Sequence, residues 1–245
     1  MVNMNSGLAI QGSRLYLQRY IINAKDKLSE LIIAASPSLL SFTDSKSKIE
    51  WKSPIQNPEK PGKNEFYEYR DDFLEVLGLD AVTYNNAVKK LEAFWPKNGP
   101  QWDGLAVVNG NDGQIGLLLV EAKAHLGEAR ADLKAVSQIS VDKIKKSIAV
   151  AQEHYGIEPV DWTKHYYQLG NRIAFLYLMN EVLHIPTWFV LINFTEGDYK
   201  TTGIEKWLAH YHRIYIKMGI KPNNYKLLSN IIQIFPNALK NLCKE

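Results

Sequence analysis

Hydrophobic and polar positions recur along this chain with two different periods, and the change of period predicts its secondary structure. A period near 3.6 indicates helices, whereas short apolar runs bounded by turn residues indicate strands. This pattern predicts helices over 11–35, 66–77, 84–94, 127–155, 163–183 and 203–218. It predicts strands over 102–108, 115–120 and 186–194, and leaves 230–235 open between an edge strand and a final turn.

The order of these elements predicts the organisation of the chain. The two runs 102–108 and 115–120 are separated by a Gly/Asn/Asp turn, which predicts a β-hairpin. Residues 36–62 carry four Pro and several Ser, and we interpret them as a connecting arm, with Trp51 and Ile55 as its candidate contacts with the body. We therefore expect an N-terminal helix and arm over 1–62, followed by one α/β domain over 63–245.

Composition narrows the class of protein. The chain has 245 residues, of which 46% are hydrophobic and 22% charged, as in ordinary globular proteins. Its single cysteine, Cys243, excludes an internal disulfide and a Cys-rich zinc site. The start of the chain lacks a signal-peptide pattern, and the longest apolar run, 173–179, is far shorter than the ~18 residues that span a bilayer. We expect a cytoplasmic protein with no membrane partner.

Charge is unevenly distributed. The net charge is +3, but residues 200–245 hold eight Lys/Arg and two Asp/Glu, a balance of +6 that leaves −3 for residues 1–199. A basic segment of this kind is typical either of binding to a polyanion or of a solvated helix surface.

Three charged residues of the predicted hairpin are candidates for chemistry. Glu121 and Lys123 are two residues apart, so they project from the same face of the second strand. They follow the apolar run 116–120, and charges at the end of a buried strand are costly unless they are paired or bind a ligand. With a turn centred near residue 111 or 112, an even hairpin register places Asp103 on the face that carries Glu121.

Two carboxylates this close repel each other unless a proton or a cation lies between them. Hard oxygen ligands without nearby His or Cys favour Mg²⁺ or Mn²⁺. On this reasoning Lys123 would hold a water beside an anionic substrate. The alternative interpretation makes Asp103 a turn residue and Glu121 and Lys123 a salt-bridged strand end.

The arrangement of Asp103 followed by Glu121-Ala122-Lys123 at the end of an apolar strand resembles the PD-(D/E)XK nuclease superfamily, whose fold is called restriction-endonuclease-like. The family's leading Pro-Asp is only partly matched, because Pro100 lies three residues before Asp103. The resemblance implies that Asp103, Glu121 and the carbonyl of Ala122 bind the metal. It also implies that Lys123 orients or deprotonates the attacking water.

Other polar residues extend this prediction. Gln168 and Arg172 are one turn apart on an otherwise apolar helix, and Gln168 resembles the Gln that RecB-like nucleases place after the catalytic motif. Arg172 would then bind a phosphate oxygen, although a satisfied polar pair inside a helix bundle is an equal reading. His125 is a candidate phosphate contact or a helix cap. Glu68 is a candidate additional metal ligand or part of a solvated stripe.

Together these features predict an α/β protein with a restriction-endonuclease-like core: a mixed central sheet whose β-hairpin carries the active site, with helices on both faces. The resemblance implies metal-dependent hydrolysis of phosphodiester bonds in nucleic acid, with DNA as the favoured substrate, and leaves a homodimer open. Two other functions stay open. One is a non-catalytic nucleic-acid-binding or assembly module with the same fold, and the other is an interaction protein without a nucleic-acid role.

Overall fold

The computed structural model describes residues 3–6, 8–43, 48–56, 65–198 and 200–239. The strands are β1 Asn3–Ser6, β2 Glu50–Ser53, β3 Ile55–Gln56, β4 Glu65–Glu68, β5 Gly104–Asn109, β6 Ile115–Lys123, β7 Thr187–Asn193 and β8 Ile231–Ile234. The α-helices are α1 Gly12–Asn23, α2 Lys25–Ala34, α3 Pro37–Phe42, α4 Ala81–Phe94, α5 Gln138–His154, α6 Tyr167–Tyr177, α7 Ile204–Lys217 and α8 Tyr225–Leu228. Short 3₁₀ turns span Phe73–Leu77 and Leu126–Ala129, and a π-helical turn spans Leu178–Val182. Cys243 lies outside the described residues.

A five-stranded mixed sheet, in the order β2-β5-β6-β7-β8, forms the centre of this α/β fold. Strands β2, β5 and β6 are antiparallel, whereas β6, β7 and β8 are parallel. The predicted hairpin is confirmed as β5 and β6, the predicted strand at 186–194 as β7, and the open segment 230–235 contains the edge strand β8. A smaller sheet has the order β1-β4-β3.

Both faces of the central sheet are covered by helices, because its inner strands are apolar on both sides. One face, which includes Leu117, Leu119 and Leu191, packs against residues of α4, α5, α6 and α7. The opposite face, which includes Leu118 and Val190, packs against residues of α1, α2 and α3. None of the helices in the described part of the chain has the length and apolarity needed to cross a bilayer.

The N-terminal segment differs from its prediction. The helix predicted over 11–35 is broken at Ala24, whose backbone is not helical (φ −151°, ψ 35°), so that α1 and α2 are separate helices. The break lets Tyr20 of α1 and Leu28 of α2 both reach the same core. The division predicted at residue 62 stays a prediction, but helices from the N-terminal side of it cover one face of the central sheet.

The predicted connecting arm contains regular structure. Within 36–62, α3 packs on the sheet and β2 pairs with β5, with Glu50 opposite Val107. Trp51 is buried, and its indole N–H donates a hydrogen bond to the Ser29 hydroxyl at 3.0 Å. Four-residue strands carry little periodicity of their own, and this one forms because β5 offers it an edge. Residues 57–62 of the predicted arm lie outside the described part.

The helix predicted over 66–77 is wrong in its first half. Glu65–Glu68 form β4, which pairs with β1 and β3, and only Phe73–Leu77 are helical, as a 3₁₀ turn. Between them the Asp72 side chain accepts a hydrogen bond from the Arg70 backbone N–H at 2.9 Å. Such side-chain-to-backbone bonds replace helical ones and favour a turn. The predicted stop at Gly78 is confirmed, with φ at +60°.

Two later helices are shorter than predicted. The predicted helix over 127–155 becomes the turn Leu126–Ala129, an extended segment and then α5 from Gln138. The extended segment is held to the start of α6, where the Tyr167 N–H donates to the Ala131 carbonyl at 3.0 Å. The segment predicted as one helix over 163–183 begins at Tyr167 and ends in a π-helical turn. The extended segment 131–137 forms one wall of an open cleft.

Candidate active site

The β5–β6 hairpin brings together the three residues singled out from the sequence. Its register pairs Gly104 with Val120, and one further step places Asp103 opposite Glu121, which confirms the even register. The Asp103 carboxylate accepts a hydrogen bond from the backbone N–H of Ala122 at 2.8 Å. Asp103 lies just before β5, at the edge where the hairpin opens, and it keeps some exposure to solvent.

The Glu121 carboxylate is bound on both oxygens by donors of the chain. Oε1 forms an ion pair with the Lys123 ammonium and accepts a hydrogen bond from Gln168 Nε2 at 2.7 Å. Oε2 accepts from Arg172 Nε at 3.0 Å and from Arg172 Nη2 at 2.6 Å. Glu121, Lys123 and Arg172 are all buried, so these contacts compensate charges that solvent does not reach.

Helix α6 supplies Gln168 and Arg172 because residues four apart share one helical face. The two side chains lie on the same side of α6, as their spacing predicts, and both contact Glu121. The Arg172 guanidinium also donates to the carbonyl of Gln101 at 2.9 Å and to Asn171 Oδ1 at 2.8 Å. It lies 4.5 Å from the centroid of the Trp102 ring. Arg172 is thus held almost entirely by protein groups.

The two acids differ in their protonation. Burial raises the pKa of Asp103, and the negative charge of Glu121 raises it further, to about 7 from an ordinary value of 3.8. Burial alone would also raise the pKa of Glu121, but the positive charges of Lys123 and Arg172 outweigh it and lower that pKa to about 2. At neutral pH Glu121 is therefore ionised, and Asp103 is the group that gains or loses a proton.

This difference predicts a pH dependence of stability that belongs to Asp103. Because its pKa is higher in the folded protein than in the unfolded chain, its contribution is fully present below pH 3.8 and is lost as the pH rises through about 7. Solvent contact at Asp103 screens part of the effect. Without metal, the free energy of unfolding of the unmodified protein should fall relative to Asp103→Asn over this window, as measured by urea unfolding.

Asp80 provides an internal control of opposite sign. Asp80 caps α4. Its pKa is lowered by hydrogen bonds from Thr83, mainly from the side-chain hydroxyl and then from the backbone N–H. Its contribution to the free energy of unfolding should therefore be lost as the pH falls rather than as it rises.

The prediction for Asp103 has a clear contrary result. If the difference in free energy of unfolding between Asp103→Asn and the unmodified protein stays constant from acid to neutral pH, the pKa of Asp103 is not raised.

The donors at the hairpin end fit a hard divalent cation. In a β-strand, the backbone N–H and C=O of one residue point toward the same neighbouring strand. The N–H of Ala122 points toward Asp103 and not toward β7. The Ala122 carbonyl therefore faces the same edge as the Asp103 carboxylate. In the part of the chain that the structure describes, no group of three or more His, Cys, Asp or Glu side chains is placed to hold a metal. Two carboxylates and a carbonyl, completed by waters, are nevertheless a set that Mg²⁺ accepts.

Glu68 and His125 occupy other settings. Glu68 belongs to strand β4 and not to the predicted helix, so the predicted helical stripe does not exist there, and its side chain lies outside the described part. The His125 imidazole Nδ1 accepts a hydrogen bond from the Gly127 N–H at 3.1 Å, which caps the turn Leu126–Ala129. Capping was one of the two predicted roles of His125, and its contact with phosphate stays a prediction.

The site also contains residues that the sequence did not single out. Asn193, at the end of β7, lies beside Lys123 in the parallel register and is fully buried. Its Oδ1 accepts a hydrogen bond from the hydroxyl of Tyr211 on α7 at 3.0 Å. A small cavity is lined by Glu121, Lys123 and Tyr211. The sequence did contain a signal for Asn193, because it is a polar residue at the end of an apolar strand. The sequence did not show that this strand pairs with β6, which is what places Asn193 beside Lys123.

An open cleft leads from the surface to Gln168 and Arg172. One wall is the loop 95–101 and the other is the extended segment 131–137, each of which contributes one lysine, Lys97 and Lys134. The cleft therefore reaches two side chains that contact Glu121, whereas Asp103, Glu121 and Lys123 are not among the residues that line it.

Comparison with protein-family models, with curated proteins and with solved structures gives no match for this chain.

Proposed function

We propose that this protein is a metal-dependent nuclease that hydrolyses phosphodiester bonds in nucleic acid, with DNA as the favoured substrate. The observation that carries the proposal is the convergence of Asp103, Glu121, Lys123 and Gln168 at the end of β6. The pKa of Asp103, raised to about 7, supports it, because an acid pair of this kind is stabilised by a cation.

The fold offers a second line of support for the same proposal. A mixed central sheet whose β-hairpin carries the motif, with helices on both faces, is the arrangement that the resemblance to the PD-(D/E)XK superfamily implies. Here the five-stranded mixed sheet has the hairpin at its centre and β7 parallel to β6. On this basis we propose a restriction-endonuclease-like core.

In this proposal Asp103, Glu121 and the carbonyl of Ala122 hold Mg²⁺ or Mn²⁺. The bound ion supplies Lewis-acid polarisation of the scissile phosphate and makes water more acidic. Lys123 positions the attacking water and offsets negative charge that develops on the phosphate. Gln168 and Arg172 fix the Glu121 carboxylate, so that its orientation does not change during the reaction.

Substrate binding is assigned to exposed cations. Arg172, which the sequence suggested as a phosphate ligand, is buried and bound to Glu121, so we assign it to positioning that carboxylate. Lys97 and Lys134 on the cleft walls are the nearer candidates for phosphate contacts. The Lys/Arg of residues 200–245 would add non-specific attraction, and affinity should then fall steeply with salt.

The proposal predicts cleavage that depends on a divalent ion. Labelled single-stranded, duplex and branched DNA, with matched RNA, would be incubated with the full chain in Mg²⁺, Mn²⁺, Ca²⁺ or EDTA. We expect products in Mg²⁺ or Mn²⁺ and none in EDTA, with gel electrophoresis as the measurement. Absence of cleavage of every substrate at all metal concentrations, with a folded protein, would refute the nuclease assignment.

One observation favours a second candidate, a non-catalytic nucleic-acid-binding or assembly module. Both oxygens of Glu121 are already occupied by Lys123, Gln168 and Arg172, an arrangement that is complete without a metal. Calorimetric titration with Mn²⁺ separates the two functions. Binding that Asp103→Asn weakens supports the nuclease, whereas no Mn²⁺ binding alongside intact, salt-dependent DNA binding supports the module.

A further inference from the structure

A second concave site lies on the other side of the loop that walls the cleft. Its walls are Tyr84 and Val88 of α4, Trp95 and Pro100 of the loop, and Phe175 of α6. These five surfaces are aromatic or apolar and suit a flat ring. The pocket is also lined by the charged residues Arg70, Asp71, Asp72, Glu92 and Lys97.

Two polar groups of this pocket lack a partner within the described structure. Arg70 and Asp72 both line it, and Arg70 Nε and Asp72 Oδ2 are buried without a hydrogen bond. The remaining contacts of these side chains hold them in place: Arg70 Nη2 donates to Gln101 Oε1 at 2.9 Å, and Asp72 Oδ1 accepts from the Arg70 N–H at 2.9 Å. A buried donor and a buried acceptor left unpaired are costly, and a ligand offering an acceptor and a donor would relieve that cost.

The pocket and the cleft are neighbours. Trp95, Lys97 and Pro100 line both, so the same loop borders the two spaces. The loop is fixed by Asp71, whose carboxylate accepts hydrogen bonds from the backbone N–H groups of Asn98 at 2.8 Å and Gly99 at 2.7 Å. The loop therefore keeps a fixed position between the two neighbouring spaces.

We propose that this pocket binds one unpaired base of the nucleic acid whose backbone lies in the cleft. The inference rests on the proposed function and names its substrate class: single-stranded nucleic acid, or a duplex with a base turned out of the stack. Every base offers a π-face for the aromatic walls and an edge on which an acceptor lies next to a donor. Arg70 Nε donates to that acceptor, Asp72 Oδ2 accepts from that donor, and Lys97 binds the adjoining phosphate.

Binding of nucleoside 5′-monophosphates to the metal-free full chain tests the pocket directly. Val88→Trp fills the pocket, whereas Lys89→Trp places the same side chain on an exposed position of the same helix that does not line it. By NMR titration, Val88→Trp should weaken nucleotide binding at least about tenfold, the scale of a lost base–aromatic contact. Lys89→Trp should leave it unchanged, and ribose 5-phosphate should bind far more weakly than the nucleotides.

Asp72→Asn guards against a Val88→Trp protein that does not fold. Asparagine can still accept the bond from the Arg70 N–H but presents a donor where Oδ2 accepted, so nucleotide binding should weaken while the fold persists. Three results would refute the proposed base site. The nucleotides could bind both variants as tightly as they bind the unmodified protein, or bind the unmodified protein no better than ribose 5-phosphate does. They could also fail to bind the unmodified protein.

This test is independent of cleavage. If pocket variants weaken nucleotide binding and no substrate is cut, the pocket stands and the nuclease assignment alone fails. If cleavage occurs but pocket variants bind nucleotides normally, the nuclease stands and the base site fails.

Discussion

Replacing Lys123 by methionine is expected to lower the rate of phosphodiester cleavage by about 10²- to 10⁴-fold, the range associated with losing a positioned proton-transfer or electrostatic group. Methionine keeps most of the aliphatic stem of this buried side chain but removes the ammonium. Glu121 retains Arg172 and Gln168 as partners, so the fold should persist. Initial rates on the best labelled substrate, in saturating Mn²⁺, measure the effect.

Lys27→Met is the matched control. Lys27 is an exposed lysine of α2, a helix that covers the face of the sheet opposite to Glu121 and Lys123. Its replacement by methionine changes the net charge by the same amount as Lys123→Met. We expect its cleavage rate to equal that of the unmodified protein. If Lys123→Met cuts at the unmodified rate, the lysine has no part in the reaction, even when cleavage itself is real.

The hairpin could be predicted because its evidence is local. The turn between residues 109 and 113 predicts the hairpin, and any even register places Asp103 on the face of Glu121 whatever surrounds the hairpin; the observed register is even. The same holds for Gln168 and Arg172, whose common face follows from helical periodicity. The predicted convergence of these residues therefore depended on short-range geometry and on two assumptions: that the hairpin register is even and that α6 packs over the end of β6.

Other parts of the fold depend on long-range pairing that periodicity does not encode. Strand β2 forms in a Pro- and Ser-containing segment because β5 presents a free edge to it. Strand β4 replaces a predicted helix because β1 and β3 pair with it on both sides. Tertiary pairing overrides local propensity most easily in such short segments.

The internal electrostatics of the site were also beyond the sequence. An arginine at position 172 could serve either as a phosphate ligand or as a buried partner of Glu121. Only the packing of α6 decides between these two roles. Trp102 and the carbonyl of Gln101 complete the surroundings of the Arg172 guanidinium, yet neither belongs to a motif. A position next to Asp103 was the only available signal for these two residues.

Removing the carboxylate of Glu121 is expected to destabilise the protein by about 3–5 kcal/mol, because it leaves the buried cations of Lys123 and Arg172 without their anionic partner. The side chains of Glu121 and Arg172 are 3% and 4% exposed, so water cannot replace the lost ion pair. Glu121→Gln keeps the volume of the side chain and removes its charge. Arg172→Met should cost less, since Glu121 keeps Lys123 and Gln168. Urea unfolding at neutral pH measures both losses.

The double variant Glu121→Gln/Arg172→Met distinguishes a charge effect from a packing effect. If the loss in Glu121→Gln comes from an unpaired buried guanidinium, then deleting that guanidinium should restore part of the stability, and the two changes should cost less together than the sum of their separate costs. Simple additivity would mean that the two groups do not interact in the folded protein. In that case Arg172 could not be the residue that orients Glu121, and the rigid carboxylate on which the proposed metal site depends would have to be held by Lys123 and Gln168 alone.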